Sequence, residues 1–255
     1  MMKRVDLNSD LGESFGAYKI GNDSAVIPLI SSANVACGWH AGDSMVMEKT
    51  VALCAENGIA VGAHPGYPDL MGFGRRNMAV SADEMRTYFM YQVGAMCAFL
   101  DAAGLKLQHV KPHGAMYNAA AKDPALARAI CEGVAKSAPG AILLCLSGSE
   151  MCRAADEVGI PYASEVFADR AYEEDGSLVA RSKPGAVITD ENEAIARTVR
   201  MVTEGKVTSV SGKDIDIKAD SICVHGDNAH ALEFVTKIRE ALTKEGVTIA
   251  PLSAL

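Results

Sequence analysis

Aromatic residues are scarce: Phe, Trp and Tyr make up 5% of the 255 residues, with a single Trp. That excludes the stacking platforms used to bind single-stranded nucleic acid. Positive charge is also short. Lys plus Arg number 24 against 32 Asp plus Glu, a formal net charge of −8. A phosphate backbone or an anionic membrane therefore meets no basic face. No apolar run reaches the about 18 residues of a membrane span. The N-terminal Met-Met-Lys-Arg-Val-Asp-Leu-Asn turns acidic before the apolar core of a signal peptide forms. The seven cysteines (37, 54, 97, 131, 145, 152 and 223) include no Cys-x-x-Cys pair, which removes zinc-ribbon and dithiol redox motifs. Most lie among Ala, Leu, Val and Met, the setting of reduced core thiols in a cytoplasmic protein. Missing too are a Gly-x-Ser-x-Gly elbow and a P-loop: Gly212-Lys213 is followed by Asp214, so ATP has no P-loop here to hold it.

What is present is a regular alternation. Hydrophobic residues reach 49% and charged residues 22%, enough for a sizeable core. Short apolar runs read as strands at Arg4–Asn8, Ala33–Ala36, Ile59–Ala63, Gln108–Lys111, Ile142–Leu146, Tyr162–Val166, Ala186–Ile188 and Ile222–His225. Helical patterns lie between them. Asp43 and Ser44 cap a helix running to Asn57, stopped by Gly58. Ser81-Ala82-Asp83-Glu84 is a capping box for a helix ending near Gly104. Asp123-Pro124 opens Ala125–Lys136, Thr189-Asp190-Glu191 opens a helix ending at Gly205, and Ala229–Lys244 is the last. No linker, repeat or composition break divides the chain, so a single domain over residues 1–255 is expected. The order predicts a (β/α) barrel, full or distorted to seven strands. A doubly wound open sheet is the alternative.

Polar clusters follow the strands, where a parallel barrel carries its functional loops. They contain Asn8, Asp10 and Glu13; His40; His64, Arg75 and Arg76; Lys111 and His113; Asp169 and Arg170; and His225 and Asp227. Four of the six histidines lie in such segments, three of them beside Gly or Pro and His40 two residues from Gly38 and Gly42. Each has a structural explanation as well: a carboxylate as a cap, an imidazole satisfied by carbonyls, Asp169-Arg170 as an ion pair. Lys111 ends a buried strand, a costly place for an ammonium without a partner. Asp10, His64 and His113 form a candidate two-histidine, one-carboxylate metal set, with no His-Glu-x-x-His or His-x-His to support it.

The longest motifs are Asp6-Leu7-Asn8-Ser9-Asp10-Leu11-Gly12-Glu13, Ser32–Gly38 with His40-Ala41-Gly42-Asp43, Gly62–Asp69 with Gly72-Phe73-Gly74-Arg75-Arg76, and Val110-Lys111-Pro112-His113-Gly114. With Glu165–Tyr172 and Cys223–Asp227, they resemble the LamB/YcsF family from Asp6 to about Asp227. One departure is visible: Asp227 is followed by Asn228-Ala229-His230, where the family usually continues through Thr-Pro. The resemblance implies a barrel of the glycoside hydrolase/deacetylase type. It implies one component of an ATP-dependent 5-oxoprolinase, opening 5-oxoproline (pyroglutamate) to glutamate. ATP, with magnesium brought through the complex, and two further subunits, B and C, are implied with it.

Such a reaction needs a cation for the substrate carboxylate, a base for water, an acid for the ring nitrogen and donors for developing charge. Arg75, Arg76 or Arg170 would hold the carboxylate. Asp10, Glu13 or Asp169 would be the base, and His64, His113 or His225 the acid. Lys111 would stabilise oxyanion or phosphoryl charge, and Asn8, His40, His225 and Asp227 would line the substrate. Two alternatives stay open: a metal-dependent deacetylase on a related barrel, and a subunit that only positions substrate.

Overall fold

The computed structural model describes residues 3–224 and 229–255. Seven parallel strands form a ring: β1 (Arg4–Leu11), β2 (Ser32–Ala36), β3 (Ala60–His64), β4 (Leu107–Val110), β5 (Ile142–Leu146), β6 (Tyr162–Phe167) and β7 (Ser221–Cys223). Each pairs with the next, and β7 returns to β1 with Asp6 opposite Ser221 and Asn8 opposite Cys223. That last pairing closes the barrel and overturns the open-sheet alternative. A two-residue strand at Thr248–Ile249 adds to the start of β1. One expected strand is absent: at Ala186–Ile188, Val187 makes only an isolated bridge to Arg170. The run follows Pro184-Gly185 and is tied to the loop after β6 through Arg170, away from any ring strand it could pair with.

A short helical turn at Asp23–Val26 follows β1, and the longer helices, several of them started by side-chain caps, come after it. They are α1 (Ser44–Asn57), α2 (Ala82–Ala102), α3 (Gly114–Ala120), α4 (Pro124–Ser137), α5 (Glu150–Val158), α6 (Glu191–Glu204) and α7 (Ala229–Lys244). Asp43 accepts from Val46 N at the start of α1, Ser81 and Glu84 complete the capping box of α2, and Asp190 caps α6. Among the described residues no helix is long and apolar enough to cross a membrane.

Strand alternation decides what faces inward. On β1, Val5 and Leu7 join the apolar core under the helices, while Asp6, Asn8 and Asp10 form the other face. Asp6 accepts from Ser31, Ser32 and Ser221, and Asn34 Nδ2 on β2 donates to Asn8 Oδ1 (2.7 Å) and Asp10 Oδ1 (2.8 Å). The barrel interior is thus a hydrogen-bonded polar column. It offers paired positions to charges that an apolar interior would reject.

Candidate active site

At the C-terminal ends of the strands the column opens into two adjoining clusters. The first centres on Lys111, 2% exposed at the end of β4. Its ammonium lies 2.9 Å from Asp10 Oδ1 and 2.8 Å from Glu165 Oε1, and donates to Asn8 Oδ1 (3.3 Å) and Cys223 Sγ (3.2 Å). Burial works against its charge, but Asp10, Cys223 and Glu165 outweigh that and hold its pKa well above the ordinary lysine value. Lys111 is therefore a fixed cation rather than a proton shuttle. Glu165 is fully buried and takes a second hydrogen bond from Tyr117 Oη (2.7 Å). Burial, then Glu165, keeps that phenol protonated.

The second cluster is imidazole-rich. His64 ends β3, His113 precedes α3 as its cap residue, and His40 follows β2. His64 Nδ1 lies 2.8 Å from the Lys111 carbonyl, and His113 Nε2 lies 2.8 Å from the Phe73 carbonyl. The remaining nitrogens, His64 Nε2 and His113 Nδ1, face each other at 2.9 Å. His40 stacks on His113 with centroids 3.6 Å apart. Carboxylates edge the group: Asp10 Oδ2 lies 3.4 Å from His64 Nε2, and Glu13 Oε1 lies 3.4 Å from His40 Nε2 and 3.8 Å from His113 Nδ1. One donor atom from each of Glu13, His40, His64 and His113 lies within 4.8 Å of the others. The cluster brings together the two histidines of the anticipated set, and Asp10 stands at its edge with Oδ1 on Lys111 and Oδ2 toward His64. Burial, then His64, pushes the His113 pKa down to about 3. Burial, then His113 and His64, pushes His40 well below the ordinary histidine value.

The loop after β3 is shaped to admit these rings. A Cβ on Gly66 would meet His40 Nδ1 at 2.6 Å, and one on Gly74 would meet His40 at 2.7 Å and His113 at 2.8 Å. Between them Phe73 takes a left-handed backbone (φ 54°), a conformation costing a bulky residue roughly 1–3 kcal/mol. That turn aims the Phe73 carbonyl at His113 and sets its ring edgewise against His40 and His113.

The remaining sequence candidates divide. Arg75 is exposed at this mouth, its guanidinium 5.0 Å from the Phe73 ring centroid, close enough to oppose protonation of His40 and His113. Arg76 is bound to Asp69, Nε donating to Oδ1 at 2.9 Å. Arg170 is buried and donates to the carbonyls of Ala186 (3.2 Å) and Val179 (2.6 Å), tying down the long loop after β6. Asp169 is half-buried, and its charge reaches Arg170 and Cys223. His225 and Asp227 lie outside the described residues.

Sequence reasoning passed over four residues that complete the site: Glu165, Tyr117, Cys223 and His109. His109 Nε2 lies 2.6 Å from Asn34 Oδ1, and burial, then Lys111, pushes its pKa down to about 3. The signal was available for Glu165, a carboxylate inside the strand Tyr-Ala-Ser-Glu-Val-Phe, where charge is costly unless paired.

The geometry agrees with comparison to known proteins. A protein from Clostridium beijerinckii, named as the A component of 5-oxoprolinase, is 62% identical over 251 residues, covering 98% of both chains. The crystal structure of a lactam utilization protein from Thermus thermophilus superposes with a TM-score of 0.91 at 46% identity, covering 97% of this chain and 99% of that one. A T48 deacetylase, at 16% identity and a TM-score of 0.50 over 99% of this chain and 89% of its own, shares the fold alone. The LamB/YcsF family profile matches residues 5–255, a span holding every site residue named above, and the chain belongs to that family.

Proposed function

We propose that this chain is the component of an ATP-dependent 5-oxoprolinase that opens the lactam ring, as a cytoplasmic partner of two further subunits, B and C. The relatives named as the A component of 5-oxoprolinase and the similar lactam utilization protein support that reading. The observation that carries the chemistry is the fixed Lys111 cation beside Asp10, whose other oxygen is 3.4 Å from a buried imidazole.

A five-membered lactam resists water because its carbonyl carbon is a poor electrophile. Transfer of a phosphoryl group from ATP to the lactam oxygen, with magnesium, makes that carbon electrophilic; with no P-loop in this chain, the transfer belongs to the partner subunits. Water then adds to the carbon. The C–N bond breaks, the ring nitrogen takes a proton, and a second water releases phosphate from the opened acyl phosphate. Asp10, with His64 beside it, accepts the proton from water. The ring nitrogen takes the proton that Asp10 received from water, since His113 is neutral and its one N–H is held by the Phe73 carbonyl. Lys111 balances the negative charge that grows on oxygen. Arg75 holds the substrate carboxylate, since Arg76 is committed to Asp69 and Arg170 to loop carbonyls.

The test is glutamate release from 5-oxoproline, measured with ATP for this chain alone and with the partner subunits present. Release only in the reconstituted complex supports the reading. A complex that assembles and hydrolyses ATP but forms no glutamate sinks it.

A further inference from the structure

The hydrogen bonds of His64 and His113 leave an electrostatic gap between the two rings. A carbonyl oxygen only accepts, so His64 Nδ1, 2.8 Å from the Lys111 carbonyl, and His113 Nε2, 2.8 Å from the Phe73 carbonyl, both carry their proton. In neutral rings the other nitrogens then bear lone pairs. Those two nitrogens, His64 Nε2 and His113 Nδ1, stand 2.9 Å apart. Neither has a proton for the other, and the carboxylate oxygens beside them are those of Asp10 at 3.4 Å and Glu13 at 3.8 Å. The pocket is an array of acceptors around a small space, and a positive charge placed there satisfies all of them at once.

His40 adds a third ring. It is fully buried, its Nδ1 has no hydrogen-bond partner, and its Nε2 has only the long 3.4 Å approach to Glu13 Oε1. A buried imidazole so poorly satisfied is costly unless something else engages it. The spacing says what would. Zinc bound tetrahedrally at about 2.0–2.1 Å holds its ligand atoms about 3.3 Å apart. Three of the six separations here are 2.9 Å between the His64 and His113 nitrogens and 3.4 and 3.8 Å from Glu13 to His40 and His113, and all six lie within 4.8 Å. Those three lie on either side of that value, and the wider pairs would draw in around an ion. The carbonyl bonds at the far side of His64 and His113 are the outer-shell contacts that orient metal-bound imidazoles.

We propose that Glu13, His40, His64 and His113 form a binding site for one divalent transition-metal ion of the zinc class, with Asp10 between that ion and the Lys111 ammonium. Borderline-soft nitrogen donors with a single carboxylate favour zinc, or cobalt in its place, over calcium or magnesium, which prefer oxygen ligands. The site stands on these side chains alone and does not depend on which substrate the rim accepts.

The test reads binding rather than turnover. The full chain is dialysed against EDTA, freed of chelator, and titrated calorimetrically with zinc chloride. Metal content after desalting is measured by mass spectrometry, and cobalt chloride is added to a parallel sample for its ligand-field absorption. The expected result is one equivalent of zinc retained per chain and a cobalt spectrum of tetrahedral intensity that zinc abolishes. Glu13→Gln and His40→Gln should each weaken zinc binding beyond the about 10–100-fold typical of losing a residue that only orients a ligand. Asp101→Asn, an exposed carboxylate at the end of α2, should leave it unchanged. If the variants fold poorly by circular dichroism, the cobalt spectrum of the parent chain decides. No saturable binding, a six-coordinate cobalt spectrum, or equal affinity in folded Glu13→Gln and parent overturns the proposal. The first of these would mean that a shared proton fills the gap between His64 and His113. Loss of glutamate formation with intact zinc binding would count against the lactam reading and leave the metal site standing.

Discussion

The ammonium of Lys111 and the carboxylate of Glu165 lie 2.8 Å apart, both almost wholly buried, on strands separated in the ring by β5. A pair this deep is costly to desolvate, and its neighbours keep it tolerable: Asn8 Nδ2 donates to Glu165 Oε1 at 3.1 Å and Tyr117 Oη to Oε2 at 2.7 Å. Removing one partner is therefore worse than removing both. Lys111→Met should lose activity and also lower unfolding stability by about 3–5 kcal/mol, because Glu165 is left buried and uncompensated. Adding Glu165→Gln to Lys111→Met should recover much of the stability and none of the activity. Urea midpoints for the single and double variants check this. A Lys111→Met protein as stable as the parent contradicts the buried pairing.

Asp10 differs from Glu165 in having a way out to the substrate. It is half-buried, and its two oxygens face different groups, Oδ1 toward Lys111 and Oδ2 toward His64. Asp10→Asn keeps an acceptor for Lys111 and Asn34 but cannot take a proton from water. Turnover in the reconstituted complex should fall by about 10²-fold or more, the usual share of a positioned base. The thermal midpoint should move little, because Glu165 still balances Lys111. Near-normal glutamate release would remove Asp10 from the role of base.

Arg75 and Arg76 are adjacent in sequence and unequal in place. Arg76 holds Asp69, which also accepts from Gly72 N at 3.0 Å and so fixes the turn leading to Phe73. Arg75 stands exposed over Phe73. Arg75→Met should raise KM for 5-oxoproline about 10-fold or more, the worth of a charge-assisted contact, with a smaller change in kcat. Arg75→Lys should recover only part of it, since an ammonium lacks the two-pronged geometry. Arg76→Met should act on the loop instead, lowering kcat and stability together. Steady-state kinetics on the complex separates the two. Equal KM values for Arg75→Met and parent would place the substrate carboxylate elsewhere.

These contrasts mark the limit of what the sequence made legible. Asp10, His64, Lys111 and His113 could be found because each stands at the end of an apolar strand, and in a parallel barrel strand ends converge. The helix caps at Asp43, Ser81, Asp123 and Asp190 were readable because capping is a local event. Glu165 carried a local mark, a carboxylate inside a strand, but its partner did not show: Lys111 lies two strands away in the ring, across β5, and that neighbourhood is a long-range fact. The three arginines were indistinguishable for the same reason: what separates them is whether Asp69 or a loop carbonyl already uses the guanidinium. Ala186–Ile188 has strand propensity but lies outside the ring, and there propensity alone does not make a strand.

The buried imidazoles set the acid stability of the fold. Burial pushes His109 and His113 down to about 3 and His40 well below the ordinary value of 6.5, at which all three titrate once unfolded. Their folded pKa values are depressed, so below pH 6.5 the unfolded chain binds protons that the native state refuses. The stability they contribute is complete above that value and is lost as pH falls toward about 3. Asp6 acts in the opposite sense. Burial raises it from 3.8 to about 6, so its contribution is present below 3.8 and is lost as pH rises through about 6. Between these limits three imidazoles oppose two buried carboxyls, Asp6 and Asp23, and the imidazoles win. The urea midpoint of EDTA-treated protein should therefore fall steadily from about pH 7 to about pH 5, each excess proton taken up by the unfolded chain costing about 1.4 kcal/mol per pH unit. A midpoint that stays flat or rises over that range would mean that the native cluster already carries a proton at neutral pH.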